Sequence, residues 1–169
     1  MTASTDLLVD AFGRIREAVE EAVDGLDPDE IASRPAEETN SVGWLVWHLT
    51  RIQDDHVAGV AGTEQVWTAD GWYERFGLPF AADDTGYGHS PEEVAAVRDL
   101  SAELLTDYHE AVHDATVQYL AGVEDKDYKR VVDRAWSPPV TLGVRLVSVI
   151  SDDLQHVGQA AYVRGLLGR

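Results

Sequence analysis

The sequence predicts an all-α protein, a four-helix bundle with long ordered loops between helices two and three and between helices three and four. Three observations predict it. Apolar residues recur at three-and-four spacing in four long segments. Ser or Thr stands ahead of the later segments in N-cap position. The stretches between are rich in Gly, Pro and Asp. With 169 residues the whole chain, 1–169, is expected to form one domain around one core.

Helix one spans residues 5–24, with Leu7, Leu8, Phe12, Ile15, Val19 and Val23 on one face. The segment DGLDPDEIASRPAEETN then holds at most a short helical turn. Asn40 or Ser41 caps helix two, which is apolar from Val42 to Val60 and ends near Gly62. Residues 63–89 show no sustained period and read as a long loop with one helical turn at 71–76. Ser90, Pro91 and Glu93 supply an N-cap, a first-turn proline and a capping box, which predicts helix three from there to about Gly122. After the connection EDKDYKRVVDRAWSPPVT, Thr141 opens helix four.

Composition excludes several functions. A net charge of -18 repels nucleic-acid phosphates and anionic membrane surfaces, so neither is an expected partner. No apolar run approaches the ~20 residues that span a bilayer, and the N-terminal stretch lacks the pattern of a secretion signal, so a cytoplasmic location is expected. The absence of cysteine removes disulfides, thiolate nucleophiles and thiolate metal ligands. Any bound metal must rest on histidine and carboxylate.

Bundles build metal sites from inward-facing side chains, so the informative residues are ligand types embedded in apolar stripes. His48 lies within WLVWHL, where a buried neutral histidine with a backbone partner is the plainer reading. Helix four adds Asp152, Asp153 and His156, which interrupt VSVISDDLQHVGQAAYV. Asp152 and His156 are four residues apart, about 40° around the axis and one turn along it, so both can address one ion. Asp153 is the reserve ligand. His48, Asp152 and His156 would leave coordination positions open for water or substrate, as catalytic sites do. Imidazole with carboxylate suits zinc, nickel, iron or manganese. Asp55, seven residues beyond His48, is a candidate second-sphere or substrate-facing group; Arg164 is a candidate for holding an anionic group or pairing with the acidic surface.

The segment His109-Glu110-Ala111-Val112-His113 matches the H-E-x-x-H pattern of metallopeptidases, in which two histidines hold zinc and the glutamate is the base. The extended pattern is missing: Thr116 and Tyr119 stand where Gly and His are required. Flanking Asp107, Glu110 and Asp114 suggest an exposed helix face, so His109 and His113 are expected to face solvent and bind no catalytic metal.

NSVGWLVWHLTRIQDDH and DLQHVGQAAYVRG together resemble the ligand motifs of the DinB/YfiT-like family of metal-dependent four-helix bundles, and the similarity covers most of the chain. By position, His48 matches the family's first histidine and His156 its last, while Asp152 falls where the middle ligand is usually histidine. The related mycothiol-dependent maleylpyruvate isomerases are similar in carrying a carboxylate there. The resemblance implies a divalent metal that activates a bound water or a low-molecular-weight thiol such as mycothiol or bacillithiol. Thiol S-transfer, isomerisation or hydrolysis is then the expected chemistry, on a small-molecule substrate, with a homodimer left open. The aromatic loop GWYERFGLPF, with Trp67 and Tyr87, would either wall the site or pack over the end of the bundle. A non-catalytic bundle that binds a small molecule or protein partner is the alternative.

Overall fold

The computed structural model describes residues 2–168. Four long helices form the bundle: α1 (Ala3–Val23), α3 (Val42–Ala61), α7 (Ala102–Ala121) and α8 (Leu142–Leu166). Between them lie the short helices α2 (Pro28–Ala32), α4 (Val66–Ala69), α5 (Trp72–Phe76) and α6 (Pro91–Ala96). Two short antiparallel strands, β1 (Val131–Asp133) and β2 (Val140–Thr141), pair just before α8, a feature the all-helical expectation did not include. Among the described residues no helix is long and apolar enough to cross a membrane.

Each long helix begins where a short hydroxyl side chain can satisfy a free amide. Thr2, Ser41, Ser101 and Thr141 accept from the backbone N–H of Thr5, Trp44, Leu104 and Val144 respectively. α3 stops at Gly62, whose φ of 73° is the left-handed conformation that ends helices cheaply only at glycine.

The expected continuous third helix is two helices. The capping box at Ser90 and Glu93 forms as anticipated, but α6 ends at Ala96. Val97 and Leu100 are both buried in the core, and Asp99 between them takes a φ of 62°. The chain leaves the helix at Val97, the left-handed Asp99 turns it, and Ser101 caps a fresh one. The serine in RDLSAEL is a second start signal inside an apparently unbroken period.

The core is a single cluster that fills the bundle. Phe12, Ile15 and Val19 of α1 meet Leu45 and Leu49 of α3, Leu105 and Val112 of α7, and Leu146 and Val149 of α8. Leu7, assigned to the apolar face of α1, is instead 73% exposed. Trp67, Trp72 and Phe76 pack their rings around Tyr108 of α7, with centroids 5.1, 5.5 and 5.5 Å away. These aromatics therefore belong to the core and not to a substrate wall, whereas Tyr87 is almost fully exposed.

Candidate metal centre

Helices α3 and α8 share the most extensive contact in the bundle, and their seam brings His48, Asp152 and His156 together. One ligand atom from each lies within 4.8 Å of the others. His156 Nε2 is 3.6 Å from Asp152 Oδ1, across one turn of α8. The imidazoles of His48 and His156 meet edge to face with centroids 4.8 Å apart. The i,i+4 spacing on α8 thus does what the sequence reading required of it, and α3 supplies the third group.

The hydrogen bonds around the trio decide which atoms face inward. His48 Nδ1 donates to the carbonyl of Thr85, and His156 Nδ1 donates to Gln159 Oε1 at 3.1 Å. Because a neutral imidazole carries one N–H, both rings keep the Nε2 lone pair for a ligand. Asp152 Oδ2 is buried and has no hydrogen-bond partner among the described residues. Two imidazole lone pairs converging on an unpartnered carboxylate oxygen fit a divalent ion, and the outer hydrogen bonds fix the tautomers that metal binding needs. Burial lowers the His48 pKa, with the Thr85 carbonyl pulling the other way, so the ring is neutral and competent to ligate at neutral pH.

Asp153 is completely buried, and both of its oxygens lack a partner. Burial, followed by the neighbouring charge of Asp152, pushes its pKa well above the ordinary carboxylate range. It shares the inward row of α8 with Leu146, Val149 and Val157, so the reserve ligand of the sequence reading points into the core and not toward the two imidazoles.

A loop seals one side of the centre. Fully buried Arg51 donates to the carbonyls of Asp84 and Ala82 and to Gln65 Oε1. Asp54 accepts from the amides of Val66 and Trp67 and from the Tyr108 hydroxyl. Together they clamp the segment 65–84 to α3. The segment then passes His48 so closely that a Cβ at Gly86 would lie 2.9 Å from Trp47 Cζ3 and 3.0 Å from His48 Nδ1, and Gly86 has a φ of 85°. Only glycine fits that approach. Beyond it, His89 Nε2 donates to the Asp84 carboxylate and His89 Nδ1 accepts from Trp44 Nε1, while Trp44 stacks on His48 with a centroid distance of 4.6 Å. Sequence reasoning missed Arg51, Asp54, Gly86 and His89. Charged residues three apart inside the apolar run of α3 were the available signal for the first two.

The chain matches the family model described as mycothiol-S-transferase over residues 7–168. It belongs to the mycothiol S-transferase family. That family lies within the DinB/YfiT-like superfamily, and the bundle agrees with it. A solved structure, the conserved protein of a locus from Enterococcus faecalis, is 35% identical and superposes with a TM-score of 0.92, covering 100% of this chain and 99% of that one. No curated protein matches the chain.

Within this mycothiol S-transferase family member, the remaining sequence-predicted residues lie away from the trio. Arg164 donates to the carbonyls of Ala22 and Asp24, tying α8 to the end of α1 two turns beyond His156, where it takes no direct part at the centre. Asp55 Oδ1 accepts from Gln65 Nε2, and its other oxygen is 3.6 Å from His56 Nδ1, in a cleft along the same α3–α8 seam. His109 is buried, contrary to expectation, and His113 is mostly so. Glu110 is exposed and faces Arg16 at 3.9 Å, and among the described residues no third metal-ligating side chain gathers with His109 and His113.

Proposed function

We propose that the protein is a divalent-metal-dependent transferase that uses a low-molecular-weight thiol, mycothiol by family, as its nucleophile. His48, Asp152 and His156 hold the metal in this reading. The observation that carries it is the pair of Nδ1-anchored imidazoles facing the unpartnered Asp152 oxygen. Zinc, nickel, iron and manganese all suit this donor set. A metal in this position lowers the pKa of a bound thiol, so that thiolate is available near neutral pH. The transfer is balanced: the thiol releases its proton, sulfur bonds to an electrophilic carbon, and the displaced group leaves with the electrons of its former bond. Asp55, at the neighbouring cleft, is the substrate-facing carboxylate.

The reaction belongs to a cytoplasmic small-molecule enzyme, and a homodimer is part of the proposal. Every exposed position of α8, from Val144 and Val147 through Leu154 to Tyr162, is uncharged, although the chain carries 44 charged residues as 13 Lys+Arg and 31 Asp+Glu. Two copies of so acidic a protein meet most easily along such a face. Sedimentation of the purified protein checks this: a monomer at all concentrations removes the dimer and leaves the chemistry untouched.

The functional test is a metal-reconstituted preparation assayed with mycothiol and a panel of alkylating and activated electrophiles. Thioether formation that requires both thiol and metal is expected. Turnover of electrophiles by water alone at an equal rate would overturn the transferase reading.

A further inference from the structure

α1 and α7 face solvent with charge, and α8 does not. α1 exposes Asp6, Asp10, Arg14, Glu17, Glu20 and Glu21, and α7 exposes Glu103, Asp107, Glu110 and Asp114. The four charged residues of α8, Arg145, Asp152, Asp153 and Arg164, are all buried or half-buried. Among the described residues, five of the nine exposed large hydrophobic side chains stand on this one helix: Val144, Val147, Leu154, Tyr162 and Leu166. Such residues scattered singly need no account, but a row along one helix marks a surface that something covers.

The first half of this face is a trough of about 540 Å³, with Val144, Val147, Ser148, Ser151, Asp152 and Gln155 in its lining. Every lining residue belongs to α8, so the trough has a floor and no opposite wall. Asp152, whose carboxylate stands with His48 and His156 at the candidate centre, is part of that floor, and 38% of its side chain is exposed. A small-molecule site surrounds most of its ligand, so the centre is incomplete on this side.

Resting on the transferase reading and its dimer, we infer that a second copy of the chain supplies the missing wall, and that Tyr162 of the partner subunit closes the trough beside Asp152. Charge and shape name this occupant. Two copies at a net charge of -18 repel each other except where no charge faces out. A closed two-fold dimer uses the same patch on both copies. Tyr162 is 69% exposed and stands 18 residues beyond Val144, so at 100° per residue it projects in the same direction, about 27 Å farther along the helix. Parallel helices would set trough against trough and ring against ring. Antiparallel helices seat each ring in the other copy's trough and also oppose the helix dipoles. Full overlap of the face from Val144 to Leu166 puts the two-fold axis at Gln155. Tyr162 of the partner subunit then lies over Ser148, one turn from Asp152. Gly158 of the partner subunit falls opposite Asp152 itself and leaves room there for a substrate. The metal ligands remain within one chain, and the ring from the other chain holds the electrophile against them.

The chain has no cysteine, so introduced pairs report the contact cleanly. Ser148→Cys and Tyr162→Cys are 14 residues apart, about 21 Å along one helix, too far to form a disulfide within a chain. An oxidised equimolar mixture of the two single variants is expected to run as a cross-linked dimer on a non-reducing gel, while each variant alone runs as a monomer. Leu7→Cys, exposed on α1, mixed with either one reports random collision. No cross-link above that background, or cross-linking of each variant alone as fast as of the mixture, overturns the inference. Kinetics read the role of the ring. Tyr162→Ala should raise KM for the electrophile about tenfold with kcat within threefold of wild type. Mixing it with His48→Ala/His156→Ala should add a component with the wild-type KM, because the metal-bearing subunit then faces an intact ring. An unchanged KM in Tyr162→Ala, or no recovery on mixing, contradicts a wall supplied by the partner. Cross-linking in a protein that shows no metal-dependent thiol transfer would sustain the contact while the transferase reading fails. Metal- and thiol-dependent turnover by a protein that does not cross-link would do the reverse.

Discussion

Of two histidine pairs in this bundle, His48, His156 and His109 share a tautomer, and the pairs part in what surrounds them. At the α3–α8 seam, His48 and His156 donate from Nδ1 and turn Nε2 toward the Asp152 carboxylate. On α7, Thr50 spends its hydroxyl proton on the Val46 carbonyl, so His109 Nδ1 must be the donor in its 3.1 Å contact with Thr50 Oγ1. His109 Nε2 is therefore also a buried lone pair, and neither it nor His113 Nε2 has a hydrogen-bond partner among the described residues. Here burial lowers the pKa of both rings, His113 and then Arg16 lower that of His109 further, and Arg16 acts against Asp114 and Glu110 at His113; among the described residues no carboxylate gathers with the two rings as Asp152 does at the seam. Burial and i,i+4 spacing do not separate a metal site from a packed histidine. A carboxylate gathered with the rings does.

Replacing a ligand should break the comparison most severely. His156→Ala is expected to leave metal occupancy at about a tenth of wild type or less. Thioether formation should fall on the order of 1,000-fold, the rate equivalent of about 4 kcal/mol of lost charge stabilisation. Elemental analysis and product chromatography read the two effects; an active, metal-loaded variant would remove His156 from the centre.

Outer groups test whether anchoring of Nδ1 matters. Gln159→Leu removes the acceptor for His156 Nδ1 and should weaken zinc binding roughly 10- to 100-fold in a competition titration. Unchanged affinity would show that the tautomer needs no such support. Gly86→Ala forces a Cβ against Trp47 and His48 at positive φ. A cost of about 1–3 kcal/mol in urea unfolding is expected, together with weaker metal binding, since the strain falls on His48 itself.

The α7 pair should answer to protons and not to metal. Burial holds the His109 pKa down to about 3, well below the ordinary histidine value. Its contribution to stability is complete above the unfolded pKa. It falls as pH drops from there toward the folded pKa, because the unfolded chain binds a proton that the folded one refuses. In chelator-treated protein, wild type should lose about 1.4 kcal/mol per pH unit more than His109→Gln across that window. Parallel urea curves at pH 7 and 5 would contradict the assignment.

Much of this was legible in the sequence because it depends on local rules. Ser41, Gly62, Thr141 and the spacing of Asp152 and His156 all act within one or two turns. The break at Asp99 was hidden because α6 and α7 keep a helical period on either side of it. The burial of His109 was hidden because polar neighbours on the opposite face of α7 dominate the local composition. Thr85, Gly86 and His89 reach His48 through a loop whose path is set by Arg51 and Asp54, and no short-range pattern encodes that contact.

Zinc stoichiometry, measured in parallel on wild type, His109→Gln/His113→Gln and His48→Ala/His156→Ala after identical reconstitution, tests the central distinction most directly. One tightly held ion per chain is predicted for wild type and for the α7 double variant, and none for the seam double variant. An ion lost with His109 and His113, or kept without His48 and His156, would contradict the assignment of the metal centre.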